Sequence, residues 1–175
     1  MKNFVLIGFA GCGKSTAGKR AAKKLHLPFY DTDLEIEKAQ GRTITEIFAA
    51  EGADTFRALE TDMAAQLAEH PHCIIATGGG IVTIPRNMPI LKANSIVIYM
   101  KATPEKILSN IGHNTSRPLL QTDDKEGAVR RLMEERLPLY EQYADVTIDI
   151  SALTRDESVS ALTKLIRRFL RSEAL

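Results

Sequence analysis

The chain has no tryptophan, few aromatic side chains of any kind, and two cysteines in 175 residues. Cys12 and Cys73 show no framework spacing, so a disulfide scaffold is excluded and free thiols in a reducing, cytoplasmic setting are expected. The four histidines, His26, His70, His72 and His113, lack metal-ligand spacing and read as surface or loop residues. No excess of charge exists either: 23 Lys+Arg stand against 22 Asp+Glu, which argues against a broad nucleic-acid surface. No apolar run approaches the roughly 18 residues of a membrane span. The basic C-terminal stretch Arg167 to Arg171 carries too few charges to anchor a membrane and reads as a solvated helix end. What is abundant is apolar side chain, 44% of the chain, enough for a core without metal or disulfide support.

Those apolar residues fall into short continuous runs separated by longer amphipathic stretches. Phe4 to Ile7, Pro28 to Tyr30, Cys73 to Ala76, Ile96 to Met100 and Val146 to Ile150 read as strands. Continuous rather than alternating runs suit parallel strands covered on both faces. Helical patterns lie between them: Lys14 to Leu25, Asp33 to Ala39, Ile44 to Ala50, Ala53 to Glu69, Pro85 to Lys92, Pro104 to Ile111, Glu126 to Tyr140 and Asp156 to Leu170. The alternation predicts an α/β three-layer sandwich around a parallel sheet, in one domain over residues 1–175. A long polar segment, about 112–124, breaks the rhythm and reads as a lid; Asp123 is placed to cap the helix that follows.

The segment Phe4 to Thr16 allows two readings. Lys2, an apolar run and Ala10-Gly11-Cys12 fit a short secretion signal ending at a lipid-attachment cysteine. Its apolar part, Phe4 to Ala10, is only seven residues, the bottom of the signal range. The same residues spell Gly8-Phe-Ala-Gly11-Cys12-Gly13-Lys14-Ser15, a phosphate-binding loop with a strand before it and a helix after it. Glycines let backbone N–H groups turn toward phosphate oxygens, and the helix N-terminus adds partial positive charge. Gly11, Cys12, Gly13, Lys14, Ser15 and Thr16 would hold the ATP phosphates, with Lys14 on the outer ones and Ser15 offering its hydroxyl to Mg2+. Cys12 reads as a small residue that fits the loop, although an anion-binding helix start can also make a thiol reactive.

A magnesium site needs acid as well. Asp31 and Asp33 follow the second strand, on the sheet edge where ligands bind in such folds. In an extended segment they would face opposite sides, Asp31 the metal and Asp33 the hydroxyl of an acceptor. The plain alternative makes Asp33 only the N-cap of the next helix. Whether Asp33 takes the proton or only positions the hydroxyl stays open. Gly78-Gly79-Gly80 after a buried strand suggests close backbone approach to a ligand. Arg57 sits one position off an apolar helical stripe, with Glu60 three residues on to orient it. Arg136 lies on an inward stripe, where a cation is costly unless an anion meets it, and a guanidinium suits a carboxylate. Arg117, in the lid, is placed to neutralise charge on a transferring phosphoryl group.

In this order and spacing, GFAGCGKST, Leu27-Pro-Phe-Tyr-Asp31-Thr-Asp33, Phe56-Arg57-x-x-Glu60, Ile75-Ala-Thr-Gly78-Gly79-Gly80, Arg117-Pro-Leu-Leu and Glu135-Arg136-x-Pro-Leu-Tyr140 with Ala144-Asp145 resemble the shikimate kinases. The resemblance spans about Lys2 to Ile150. It implies a nucleoside-monophosphate-kinase-like P-loop kinase fold with a five-stranded parallel sheet and a lid. It implies Mg2+-ATP-dependent phosphorylation of the 3-hydroxyl of shikimate in aromatic amino-acid (chorismate) biosynthesis, and a monomer. Shikimate would be held by Asp33, Arg57, Gly78, Gly79, Gly80 and Arg136, and Arg117 would be the lid arginine. The sequence departs from the family where a cation often stacks on adenine: Asn110 stands at the lid start, and Arg155 is assigned a helping role in holding the nucleotide. A gluconate kinase would share the loop without needing the two-arginine, triple-glycine arrangement. A non-catalytic relative would be expected to lack Lys14, Asp33 or Arg117.

Overall fold

The computed structural model describes residues 2–112, 120 and 122–172. Its sheet is five-stranded, in the order β2-β3-β1-β4-β5, and every pairing is parallel. The strands are β1 (Asn3–Ile7), β2 (Phe29–Asp31), β3 (Ile74–Ala76), β4 (Ser95–Lys101) and β5 (Val146–Asp149). All five residues of β1 are buried, as befits a central strand with both faces covered. Phe4 to Ile7 is therefore structural core. Asn3 begins the strand fully buried because its amide is paired: Oδ1 accepts from the Cys73 N–H at 3.0 Å and Nδ2 donates to the His70 carbonyl at 2.7 Å.

The helices are α1 (Lys14–Leu25), α2 (Thr32–Gln40), α3 (Ile44–Ala68), α4 (Asn87–Lys92), α5 (Pro104–Ile111), α6 (Lys125–Tyr143) and α7 (Arg155–Ser172), with a 3-10 turn at Ile81–Thr83. Local chemistry sets their starts. Thr43 and Glu46 form a reciprocal capping box at α3, and Thr103 caps α5 with Pro104 in its first turn. α6 is capped by Asp124, which accepts from the Gly127 N–H at 2.9 Å, and not by the expected Asp123. The helices expected at Ile44 to Ala50 and Ala53 to Glu69 are one element broken at Gly52, whose φ of 82° lies outside the helical range. The Pro85 to Lys92 helix is shorter than expected, starting at Asn87.

Strand order positions the site. β1 lies between β3 and β4, so the connections leaving its carboxyl edge diverge and open a crevice there. β1 leads into Gly8, β2 ends on Asp31 and β3 leads into Thr77-Gly78, which brings the three sequence motifs to one edge.

Candidate functional site

The loop after β1 ends at Gly13, whose φ of 91° places it in the left-handed region, and α1 begins at Lys14. Among the described residues no side chain caps α1, and no acid occupies its first turn, so the helix start offers its N–H groups and partial positive charge to an anion. Lys14 is buried within the loop, where Nζ donates to the Gly8 carbonyl at 2.7 Å and the Phe9 carbonyl at 3.0 Å. A cavity of about 280 Å3 opens beside it, lined by Gly11 to Ala17 and by Lys106, Asn110 and Arg155 across the cleft. Three cations and no carboxylate line this cavity among the described residues. Its electrostatics favour a polyanion.

Ser15 and Asp31 meet as expected: the Ser15 hydroxyl donates to Asp31 Oδ2. The other oxygen of Asp31 accepts from the N–H groups of Asp33 and Leu34, at 3.0 and 3.2 Å. Asp31, in extended conformation, is thus the N-cap of α2. Asp33 does not cap, so the plain alternative falls. The sequence reading is corrected in one respect: Asp33 lies in the first turn of α2 rather than in an extended segment. The two carboxylates still diverge, because the helix begins between them. Ser15 and Asp31 are hard oxygen donors, which fits magnesium; two protein ligands suffice when phosphates and water complete the shell.

Asp33 instead faces a second, smaller cavity of about 60 Å3, lined also by Arg57, Glu60, Gly78 to Gly80 and Arg136. Arg57 Nη1 donates to Glu60 Oε2 at 2.6 Å, so Glu60 does orient Arg57. Glu60 is completely buried, and burial raises its pKa above the ordinary carboxylate value against the opposing pull of Arg57. Arg136 is 6% exposed; its guanidinium lies 5.8 Å from the Phe9 ring centroid, and its Nε has no hydrogen-bond partner among the described residues. A buried guanidinium nitrogen without a partner is costly, and a ligand anion in the cavity would satisfy it. The triple glycine has a cause beyond ligand approach. A Cβ at Gly78 would lie 2.7 Å from Asp33 Oδ1 and 2.8 Å from Glu60 Oε1, and one at Gly80 would overlap the Arg57 guanidinium. A side chain at Gly78 or Gly80 would displace these charged groups, and one at Gly79 would meet the backbone nitrogen of Ala10 at 2.8 Å.

The apolar wall of this cavity was not legible in the sequence. Residues eight apart in a straight helix are about 12 Å apart along its axis. The break at Gly52 brings the Phe48 and Phe56 rings to 4.9 Å, and both line the cavity with Phe9. Asn110 was also missed as a structural contact: its Nδ2 donates to the Gly11 carbonyl at 2.9 Å, tying α5 to the phosphate loop. Arg155 stands at the start of α7 and lines the larger cavity, as the sequence suggested. Arg117 and His113 lie outside the described residues. Cys12 and Cys73 are free and buried, and burial pushes the Cys73 thiol up to about 11. No helix among the described residues is long and apolar enough to cross a membrane.

Comparison with known proteins gives a consistent picture. The family model described as Shikimate kinase matches residues 10–167. A shikimate kinase of Caldanaerobacter subterraneus subsp. tengcongensis is 46% identical over 157 residues, covering 90% of this chain and 91% of that protein. The solved shikimate kinase of Acinetobacter baumannii in complex with shikimate superposes with a TM-score of 0.90 at 35% identity, covering 100% of this chain and 96% of that one. A gluconokinase from Sinorhizobium meliloti 1021, 15% identical with a TM-score of 0.58, shares the fold alone.

Proposed function

The chain belongs to the shikimate kinase family and phosphorylates shikimate, and from that premise we propose how its two cavities divide the reaction. ATP is the co-substrate, and its phosphates bind the loop Gly11 to Thr16 with Lys14 on the outer phosphates. Shikimate binds the smaller cavity with its carboxylate on Arg57 and Arg136 and its 3-hydroxyl at Asp33. The observation that carries this assignment is the gathering of a buried, partly unsatisfied Arg136, the Arg57–Glu60 unit and Asp33 around one cavity. A small acid that also carries hydroxyl groups offers its carboxylate to the guanidinium groups and a hydroxyl to Asp33.

Transfer is direct and in line. Asp33 aligns the attacking hydroxyl, with its proton as the group it can accept. Lys14 and, from the lid, Arg117 neutralise charge on the moving phosphoryl group. Magnesium held by Ser15 and Asp31 would supply further charge neutralisation at the phosphates. Arg155 helps hold the nucleotide across the cleft. The apolar wall of Phe9, Phe48 and Phe56 keeps the acceptor side dry, which limits transfer to water. The enzyme works as a cytoplasmic monomer in aromatic amino-acid biosynthesis.

A coupled ADP-release assay against shikimate, gluconate and nucleoside monophosphates tests the reading, with the product identified by NMR. Shikimate-dependent release giving the 3-phosphate is expected. Equal turnover on gluconate, or a phosphate on another hydroxyl, would overturn it.

A further inference from the structure

The turn that carries the triple glycine is held together carbonyl by carbonyl. The Gly78 carbonyl accepts from the Ile81 N–H at 3.2 Å, and the Gly80 carbonyl from the Thr83 N–H at 3.0 Å. The Ile81 carbonyl accepts from the side chain of buried Asn87 at 3.0 Å. The Gly79 carbonyl is held differently, from another element: the Tyr140 hydroxyl of α6 donates to it at 2.5 Å. Tyr140 is 1% exposed, and its ring stacks on Tyr99 with centroids 5.1 Å apart. Burial pushes its phenol well above the ordinary value, against the opposing charge and hydrogen bond of the neighbouring Arg136, so it remains a donor across the working pH range and touches the guanidinium as well as the carbonyl.

We propose that Tyr140 is a positioning residue for the phosphoryl acceptor: by holding the Gly79 carbonyl it aims the Gly80 N–H into the acceptor cavity. The peptide between them is trans, so its C=O and N–H point in opposite directions. Tyr140 lines the neighbouring cavity between β4, α5 and α6 and not the acceptor cavity, so the carbonyl it holds is turned away from the acceptor. On this proposal the Gly80 N–H, at the opposite edge of the same peptide plane, faces the cavity that Gly80 lines. The glycine turn cannot easily adjust by other means, because a Cβ at Gly79 would already lie 2.8 Å from the Ala10 nitrogen of the phosphate loop. Tyr140 also follows Arg136 by one helical turn, so one face of α6 supplies both the guanidinium for the carboxylate and the clamp for the amide.

This rests on the acceptor-site assignment above, and the test separates the two. Tyr140→Phe keeps the stacked ring and removes only the hydroxyl. Thr163→Val removes another buried hydroxyl-to-carbonyl bond, on α7 away from the acceptor cavity, and controls for general destabilisation. Arg136→Lys tests the site itself. The expected result for Tyr140→Phe is a rise of roughly fivefold or more in the KM for shikimate, with kcat and the KM for ATP within about twofold of the parent. Calorimetric shikimate affinity without nucleotide should fall by the same factor. Thr163→Val should leave the KM for shikimate unchanged, whatever it does to the melting temperature. A Tyr140→Phe enzyme with unchanged shikimate KM, or with both KM values shifted together, overturns the proposal while Arg136→Lys still weakens shikimate. If neither variant weakens shikimate, the acceptor-site assignment fails and the Tyr140 proposal fails with it.

Discussion

One wall of the cavity proposed for the nucleotide is a continuous stretch, Gly11 to Ala17, whereas the cavity proposed for the acceptor gathers Asp33, Arg57, Gly78 to Gly80 and Arg136 from four distant stretches. The first offers main-chain N–H groups at a helix start, with cations and no carboxylate among its described lining. The second sets two guanidinium groups against two buried carboxylates beside an aromatic wall. The difference follows from the ligands they suit. A polyphosphate is recognised by charge and backbone geometry, which a short loop can supply. A small polyol acid needs fixed side chains at fixed separations, which only packed elements can supply.

The sharpest way to separate the two halves is Asp33→Asn. Turnover should drop by about 10²–10⁴ if the carboxylate handles the hydroxyl proton, with ATP affinity retained in a fluorescence titration. A variant of near-parental turnover would remove Asp33 from the mechanism. Next in size is Arg136→Lys, which keeps the charge and loses the planar fork. The KM for shikimate should rise roughly 10- to 100-fold in steady-state kinetics, with little change for ATP.

On the nucleotide side, Asn110→Ala removes the tie between α5 and the Gly11 carbonyl. One hydrogen bond of about 1 kcal/mol corresponds to a rise of about fivefold in the KM for ATP. A shift in the shikimate KM instead would break the division between the cavities. Arg155→Ala should weaken ATP binding by a similar or smaller factor; an unaffected ATP complex would remove it from the site.

The smallest effect concerns Glu60. Burial raises its folded pKa above the unfolded value, so the folded protein binds more protons in that window. Its stabilising contribution is full in acid and is lost as pH rises through the folded pKa. Glu60→Gln does not titrate there. The melting temperature of the variant relative to the parent should therefore climb as pH rises from the acid range toward neutrality. A difference that falls with pH would show that the ion pair with Arg57 outweighs burial.

The sequence made the two halves unequally legible. Gly8 to Ser15 is contiguous, so its strand, loop and helix could be read together. Arg57 was readable one position off an apolar stripe, and Glu60 by its helical spacing. Asp33 lies apart from the Ser15–Asp31 pair and lines the second cavity, but its local conformation was misread: Asp31 caps α2, a choice between two carboxylates that depends on where the helix starts. Asn110 carried no sequence signal as a contact of Gly11, because the two are far apart in the chain. The 3-10 turn after Gly80 was missed for a different reason, being too short to show a period.

What the sequence determined by itself was the strand-helix alternation, the phosphate loop and the inventory of charged groups. These depend on periodicity and on residues adjacent in the chain. Only the tertiary structure decided that Gly52 folds Phe48 onto Phe56, that Tyr140 holds the Gly79 carbonyl, and that Gly78 and Gly80 pack against Asp33, Glu60 and Arg57 while Gly79 packs against the backbone of Ala10. Those contacts join elements whose separation depends on strand order and on helix breaks, and close packing leaves room for one arrangement of them.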